Sequence, residues 1–359
     1  MAPDTLRPTI AMTEDQRGHP VVELLRRRRA DGSRPGERAD GRRVALVIEG
    51  GGMRGVVSAG MTAAIEQLGL RDAFDEVHGA SAGAFSGAFL LAGQAAYLTS
   101  LFCCGFGDPK FVGVLRLVRS GALFDMDYVI DEVWTKQRPL RFDALLTSGI
   151  DFHATATDAD TAEIIDLADL RDDAEIRCAL RASARLPWLA GPPVRFRGRR
   201  LLDATLAEAI PVHAAFASAT DVLVLQTRPH GIAHSGLSGP VARLTDRYLR
   251  RINPDLVQLR ETRSQRYDEL SASLARQATD RDATPSVCVI RPPADGLVIS
   301  QLENSAAALQ SAGSEGMRAA WMALEGEDPE LLSTLRAYPA RQHPREPEAA
   351  IAAPAERSG

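Results

Sequence analysis

Between Val44 and Ala92 the sequence twice runs from an apolar segment into a glycine turn and out into a helical segment. The first pass reads Val44-Ala-Leu-Val-Ile-Glu-Gly-Gly-Gly-Met-Arg-Gly55, and the second Val77-His-Gly-Ala-Ser-Ala-Gly83. A near-continuous apolar run, here residues 43–48, predicts a strand covered on both faces. Apolar residues at helical spacing then predict a helix over 56–68, with Gly69 as its cap. A short strand over 74–78 and a Gly- and Ala-rich helix over 82–92 repeat the unit. Strand, turn and helix in alternation restrict the chain to an α/β fold with a mostly parallel sheet and helices on both faces.

The remainder extends that pattern. Residues 108–145 read as helical with turn breaks. Strands are predicted over 151–157 and 163–167, joined at Asp158-Ala-Asp160. A helix over 174–184 ends before the prolines at 187, 192 and 193. A hairpin turns at Gly198 and leads out into Asp203. Another buried strand covers 222–227, and charged amphipathic helices cover 240–251 and 254–278. A last strand is expected over 286–290. A closing helix over 302–324 would be interrupted by Gly313 and Gly316. Residues 1–40, with Arg26-Arg27-Arg28-Arg29, read as a disordered basic tail, and 327–359 as a disordered Pro/Ala-rich tail. Between them, 41–326 form one expected domain, with a core over 44–228 and a helical C-terminal part over 229–326.

Composition narrows the function classes. A net charge of -5 gives no general attraction to nucleic acid. The cysteines at 103, 104, 178 and 288 lack metal-ligand or redox spacing, which fits a reducing cytoplasm. No signal-peptide pattern opens the sequence. From Gly79 to Gly107 no residue is charged. That length would span a bilayer, but its internal glycines favour a buried helix pair. The basic cluster at 26–29 suggests peripheral contact with an anionic membrane surface.

Gly50-Gly-Gly-Met-Arg-Gly55 satisfies the G-x-G-x-x-G pattern of dinucleotide-binding turns, and Asp72 or Asp75 offers a ribose partner at a suitable distance along the chain. A nicotinamide or flavin oxidoreductase is therefore one reading. The same convergent N–H groups at a helix start can instead hold the oxyanion of an acyl-transfer intermediate. Gly79-Ala-Ser-Ala-Gly83 supports the second reading. It is a G-x-S-x-G turn, whose small residues let a strained strand-to-helix bend push the Ser81 hydroxyl outward, with the Ala82 N–H beside it. Serine needs a base. In a Ser-His-Asp esterase it would be a histidine, and His153, His213, His230 and His234 lie downstream. The alternative is the Asp203 carboxylate at the end of Arg200-Leu-Leu-Asp203, because strand ends in such sheets gather catalytic groups.

Glu49-Gly-Gly-Gly-Met-Arg-Gly55, Gly79-Ala-Ser-Ala-Gly83 and Asp203 after an apolar strand together resemble the patatin-like phospholipases, in particular their uncharacterised bacterial branch. His153-Ala-Thr-Ala-Thr-Asp158 and Ala182-Ser-Ala-Arg-Leu-Pro187 are similar to further blocks of that family. The resemblance runs from about Val44 to Gln226, and more loosely to about Gly326. It implies a patatin-like α/β/α sandwich that hydrolyses lipid acyl esters with no cofactor or metal. Ser81 would be the nucleophile and Asp203 the base. Gly50, Gly51 and Gly52 would form the oxyanion loop with Arg54, supported by Gly55, Gly79 and Gly83. This chain has Asp203-Ala204 where the family commonly has Asp-Gly, and Glu49 where an Asp is common in plant members.

Overall fold

The computed structural model describes residues 18–104, 125–137, 139–229, 232 and 239–326. One eight-stranded sheet organises them. Its strands are β1 (Val44–Ile48), β2 (Glu76–Ala80), β3 (Asp151–Asp158), β4 (Ile164–Leu167), β5 (Val194–Phe196), β6 (Arg199–Asp203), β7 (Asp221–Leu225) and β8 (Ser286–Ile290). The path is β5-β6-β3-β2-β1-β7-β8, with β4 also paired to β3. The five strands from β3 through β8 run parallel, while β4, β5 and β6 add antiparallel pairs at one side.

Alternation along the central strands builds the two outer layers. Val44, Leu46, Ile48, Val77, Leu223 and Leu225 face one core. That core is closed by α1 (Pro20–Ala30), α2 (Gly55–Gln67), α3 (Ala82–Leu91), α4 (Ala95–Cys104) and, much later in the chain, the helix Ala306–Glu325. Ala45, Val47, Val222 and Val224 point the other way. There they meet Val212 and Ala215 of a short helix, Val212–Ser218, and Tyr267 and Leu274 of a long one, Asp255–Gln277. In chain order the helices after α4 are α5 (Phe142–Leu146), α6 (Asp173–Ser183), α7 (Val212–Ser218), α8 (Gly239–Ile252), α9 (Asp255–Gln277) and α10 (Ala306–Glu325), with a π-helical segment over Tyr128–Gln137. Period-two burial on both faces is what a sheet covered on both sides requires. The fold is an α/β/α sandwich around a mostly parallel sheet.

Of three expectations, two change and the third holds. Residues 18–40 are not a disordered arm, because α1 buries Val21, Val22, Leu24 and Leu25. Its arginines are largely spent inside the protein. Arg28, 2% exposed, pairs with Asp40 and Asp75 at 2.8 Å each. Arg26 donates to the Leu324 carbonyl, and Arg29 pairs with Glu325. Three of the four arginines at 26–29 therefore have partners within the protein, and Arg27 is exposed. Second, α10 continues through Gly313 and Gly316. A Cβ on Gly60 of α2 would lie 2.0 Å from the Gly313 carbonyl oxygen, so the glycines set a close helix crossing rather than a break. Third, the uncharged stretch is divided between α3 and α4, and among the described residues no helix is long and apolar enough to cross a membrane. The expectations for residues 1–17, 105–124 and 327–359 lie outside the described residues.

Burial of Arg28 gives a direct check on α1. Arg28→Met leaves Asp40 without its hydrogen-bonded guanidinium and Asp75 with Arg38 alone, and should lower unfolding free energy by about 3 kcal/mol. Arg27 is exposed, so Arg27→Ala should change it by less than about 0.5 kcal/mol. Urea denaturation of both variants measures the contrast; equal, small effects would restore the free-arm reading.

Candidate active site

The β3 strand sets the geometry. Ala154 pairs with Gly79 of β2 and with Leu167 of β4, so those two strands occupy its opposite edges. Ala156 pairs with Ile165 of β4 and with Asp203 of β6. Hence β6 lies on the same edge as β2. The β2 ladder ends at Ala80 opposite Thr155, and the β6 ladder ends at Asp203 opposite Ala156. Because β2 runs parallel to β3 and β6 antiparallel, their carboxyl ends meet head-on along one strand edge. Ser81 is the next residue after Ala80.

The two side chains touch. Ser81 Oγ donates to Asp203 Oδ2 at 2.9 Å. Ser81 sits at φ 51° and ψ −119°, a left-handed conformation that costs a non-glycine residue about 1–3 kcal/mol. Its surroundings enforce that bend. A Cβ on Gly83 would fall 2.2 Å from the Ile48 carbonyl oxygen, and one on Gly79 would fall 2.4 Å from Ala84 Cα. The Ser81 N–H donates to Ser183 Oγ of α6 at 2.8 Å, fixing the turn from outside.

Asp203 is fully buried. Its Oδ1 accepts from Thr205 N–H at 2.8 Å and from Thr205 Oγ1 at 2.6 Å, leaving Oδ2 for the serine. Burial raises its pKa above the ordinary carboxylate value, against the Thr205 and Ser81 hydrogen bonds and the nearby Arg263 cation. Ala204 begins a short 3-10 turn and has no positive φ, so its Cβ is accommodated where the family commonly has glycine.

The first glycine turn lies beside this pair. Gly50 N–H is already bonded to the Ala209 carbonyl at 2.9 Å, and Met53 N–H to that of Gln301 at 3.1 Å. Gly50 is thus a bracing residue, not a donor for an oxyanion. Among the described residues, no backbone carbonyl accepts from Gly51 N–H, Gly52 N–H or Ala82 N–H. Those of Gly52 and Ala82 border the same cleft as Ser81. Gly52 has φ +58°, and a Cβ there would lie 2.7 Å from the Gln301 carbonyl oxygen. Arg54 does not join the donors. It is 4% exposed, with Nε donating to Thr227 Oγ1 at 3.0 Å and Nη2 lying 3.6 Å from Glu49 Oε1. Glu49 also accepts the Thr227 N–H at 2.6 Å. Together they tie the glycine loop to the end of β7.

The cleft outside Ser81 is apolar, with walls that include Met53, Phe85, Phe102, Met126 and Leu186. Phe85 and Phe102 come from the uncharged stretch that builds α3 and α4. Thr205, Thr227 and Gln301 had no motif to mark them in the sequence, and Ser183 stood in the Ala182–Pro187 block with no role attached. Only Thr205, two residues after a candidate aspartate, was in reach of an Asx-turn argument.

The rival residues fall elsewhere. Asp75 precedes β2, and its N–H bonds to the Val44 carbonyl at the opposite end of β1 from the glycine turn. Its carboxylate is occupied by Arg28 and Arg38. About five residues of strand, some 16 Å, separate it from a nucleotide on that turn. Asp72 lies three residues further back. A dinucleotide fold needs its acid at the carboxyl end of the second strand. His153 pairs with Asp166 at 2.8 Å and stacks on His78 at 4.1 Å, below the serine turn. His213 is exposed. His230 and His234 lie outside the described residues. Glu76, His78 and His153 bring ligand-type atoms within 4.8 Å of one another, but Glu76 already accepts from Arg43 at 3.0 Å and Ser218 at 2.6 Å. Both oxygens of the Glu76 carboxylate thus already have protein partners.

A family model described as "Patatin-like phospholipase" matches residues 46–216. The chain is 32% identical over 192 residues to the uncharacterized protein YjjU of Escherichia coli (strain K12), a match over 52% of each protein. The chain thus spans about half the length of this curated relative. Among solved structures, VipD from Legionella pneumophila is similar at a TM-score of 0.44 and 12% identity, over 80% of this chain and 67% of that one. Full-length ExoU of Pseudomonas aeruginosa, solved in complex with SpcU, is similar at 0.27 and 15%, over 65% and 53%. The glycine loop, the serine turn and Asp203 all fall inside residues 46–216, the segment that matches the patatin-like phospholipase model.

Proposed function

We propose that the protein hydrolyses acyl esters of lipids through a Ser81–Asp203 dyad. The observation that carries this reading is the 2.9 Å hydrogen bond from Ser81 Oγ to a fully buried carboxylate, at the mouth of an apolar cleft. Asp203 takes the hydroxyl proton as Ser81 Oγ attacks the ester carbonyl carbon. The developing oxyanion turns toward the N–H groups of Gly51, Gly52 and Ala82, where the start of α3 adds positive potential. The protonated Asp203 passes its proton to the leaving alcohol, and the bond to that alcohol breaks. Water, deprotonated by Asp203, then attacks the acyl-Ser81 ester and releases the fatty acid. The apolar walls of the cleft hold the acyl chain. Each step uses protein groups already in contact. The Arg54–Glu49–Thr227 bracing keeps the donor loop in register with the serine.

Burial makes Asp203 a stronger base than an exposed carboxylate, and it also requires the pH to stay above its raised pKa. The sign follows directly. The protonated acid is inactive, so turnover is lost as pH falls through the folded pKa, above the ordinary carboxylate value of about 4.

Three measurements test the scheme. A fluorophosphonate probe should modify Ser81 in the folded protein, as read by peptide mass spectrometry, and Ser81→Ala should abolish labelling. Asp203→Asn should reduce hydrolysis of a short-chain nitrophenyl ester by at least about 10³-fold. It should not lower the melting temperature, because burial already disfavours the charge it removes. Retention of most activity in Asp203→Asn, with loss in a His230 or His234 variant, would instead establish a histidine base. Thr205→Val keeps the main-chain N–H donor and removes the Oγ1 hydrogen bond, one of the two from Thr205 that favour the ionised carboxylate. It should move the acid limb of the pH–rate profile to higher pH and cost roughly tenfold or more at neutral pH. An unmoved limb would remove Thr205 from the mechanism.

A further inference from the structure

Eight large apolar side chains are exposed among the described residues, and five of them sit on two segments joined to the active-site cleft. Leu297, Val298 and Leu302 are 42%, 61% and 56% exposed. Ile299, at 5%, anchors their loop in the core. Gln301 of the same loop lines the cleft, and its carbonyl accepts the Met53 N–H. Val241 and Leu244 are 43% and 49% exposed on α8. That helix is held to the opening by Trp188 Nε1, which donates to Thr245 Oγ1 at 2.8 Å; Leu186 and Ala190, on either side of Trp188, line the cleft.

The helix also carries charge of one sign. Arg243, Arg247, Arg250 and Arg251 are exposed. Their spacing places them along one outward stripe, while Ala242, Thr245 and Leu249 face inward. The single carboxylate of α8, Asp246, is bonded to Arg260 at 3.0 Å. By contrast the loop is flanked by Asp295 and Glu303, so electrostatic attraction must come from the helix.

We propose that α8 and the 297–302 loop form one docking face for an anionic lipid bilayer, which seats the cleft against the membrane. The arginine stripe meets the head groups, and Val241, Leu244, Leu297 and Val298 enter the acyl boundary. An amphipathic helix with a basic polar face binds anionic surfaces by this division of labour. The occupant is a lipid surface because the charge of α8 suits anionic head groups, the loop borders the cleft assigned to a lipid ester through Gln301, and α8 is tied to the cleft wall through Trp188. The proposal therefore rests on the hydrolase reading for its purpose, but its test needs no catalysis.

The experiment is flotation of the full chain carrying Ser81→Ala, so that no lipid is consumed. Vesicles of phosphatidylcholine mixed with phosphatidylglycerol should carry the protein, and pure phosphatidylcholine should carry far less. Salt should weaken binding as the Debye length falls from about 10 Å at 0.1 M to about 3 Å at 1 M. Arg243→Gln with Arg247→Gln should reduce partitioning by roughly tenfold or more. Leu297→Ser with Val298→Ser should reduce it to a similar degree. In the otherwise unaltered chain, both pairs should leave the melting temperature and hydrolysis of a soluble short-chain ester unchanged. Equal flotation with neutral vesicles, or full flotation of the arginine variant, would overturn the proposal. A protein that floats but hydrolyses no lipid ester would overturn the hydrolase reading while leaving this surface standing.

Discussion

A carboxylate buried from bulk solvent, with Ser81 Oγ over its one available oxygen, is the constraint from which the rest of this structure follows. Asp203 is fully buried, and an isolated charge there would simply take up a proton. Three contacts keep the ionised form within reach. Thr205 supplies two donors to one oxygen, and Ser81 supplies one to the other. Arg263 adds a cationic field, while burial pulls its own pKa down to about 10. The balance is what a general base requires. Stronger pairing would make Asp203 too weak a base to take a hydroxyl proton. Weaker pairing would leave it protonated and silent near neutral pH.

Topology makes that contact possible. In a purely parallel sheet the carboxyl ends of neighbouring strands lie side by side. Here the hairpin of β5 and β6 runs back along β3, so Asp203 approaches the end of β2 from the opposite direction. The pairings of Thr155 with Ala80 and of Ala156 with Asp203 are consecutive. Nucleophile and base are thus held in register by main-chain hydrogen bonds. The contact does not depend on a long, flexible side chain. The antiparallel corner of an otherwise parallel sheet is therefore part of the site.

Most of this order was legible in the sequence, for a physical reason. Strands buried on both faces leave unbroken apolar runs, and glycine turns leave a pattern of residues that tolerate backbone contact. The interval from Val44 to Leu91 was accordingly read within a residue or two. So was the hairpin leading to Asp203. What escaped were features defined by tertiary partners. The α1 arginines look like a solvated cluster until Asp40, Asp75 and the end of α10 are placed around them. Gly313 and Gly316 look like helix breakers until α2 is laid across them. Arg54 reads equally well as an oxyanion ligand or a brace, and its buried contacts with Glu49 and Thr227 decide for the brace. Ser183 and Gln301 carry no local signal, because each acts on a main-chain group more than a hundred residues away.

The glycine turn illustrates how far a local motif can go in fixing chemistry. Its unpaired N–H groups would accept a pyrophosphate as readily as an oxyanion, since both are anions presented to a helix start. The distinction lies in what the neighbouring strand ends supply. A dinucleotide needs an acid at the carboxyl end of β2 for its ribose. In this chain that position holds Ser81, and the candidate acid Asp75 is locked to Arg28 and Arg38 at the other end of the strand. The carboxylate that does reach the site comes from β6, and it faces the serine. The acyl-transfer reading is preferred to the dinucleotide one because the sheet delivers a hydroxyl and a buried carboxylate, and no ribose partner, to the same strand edge.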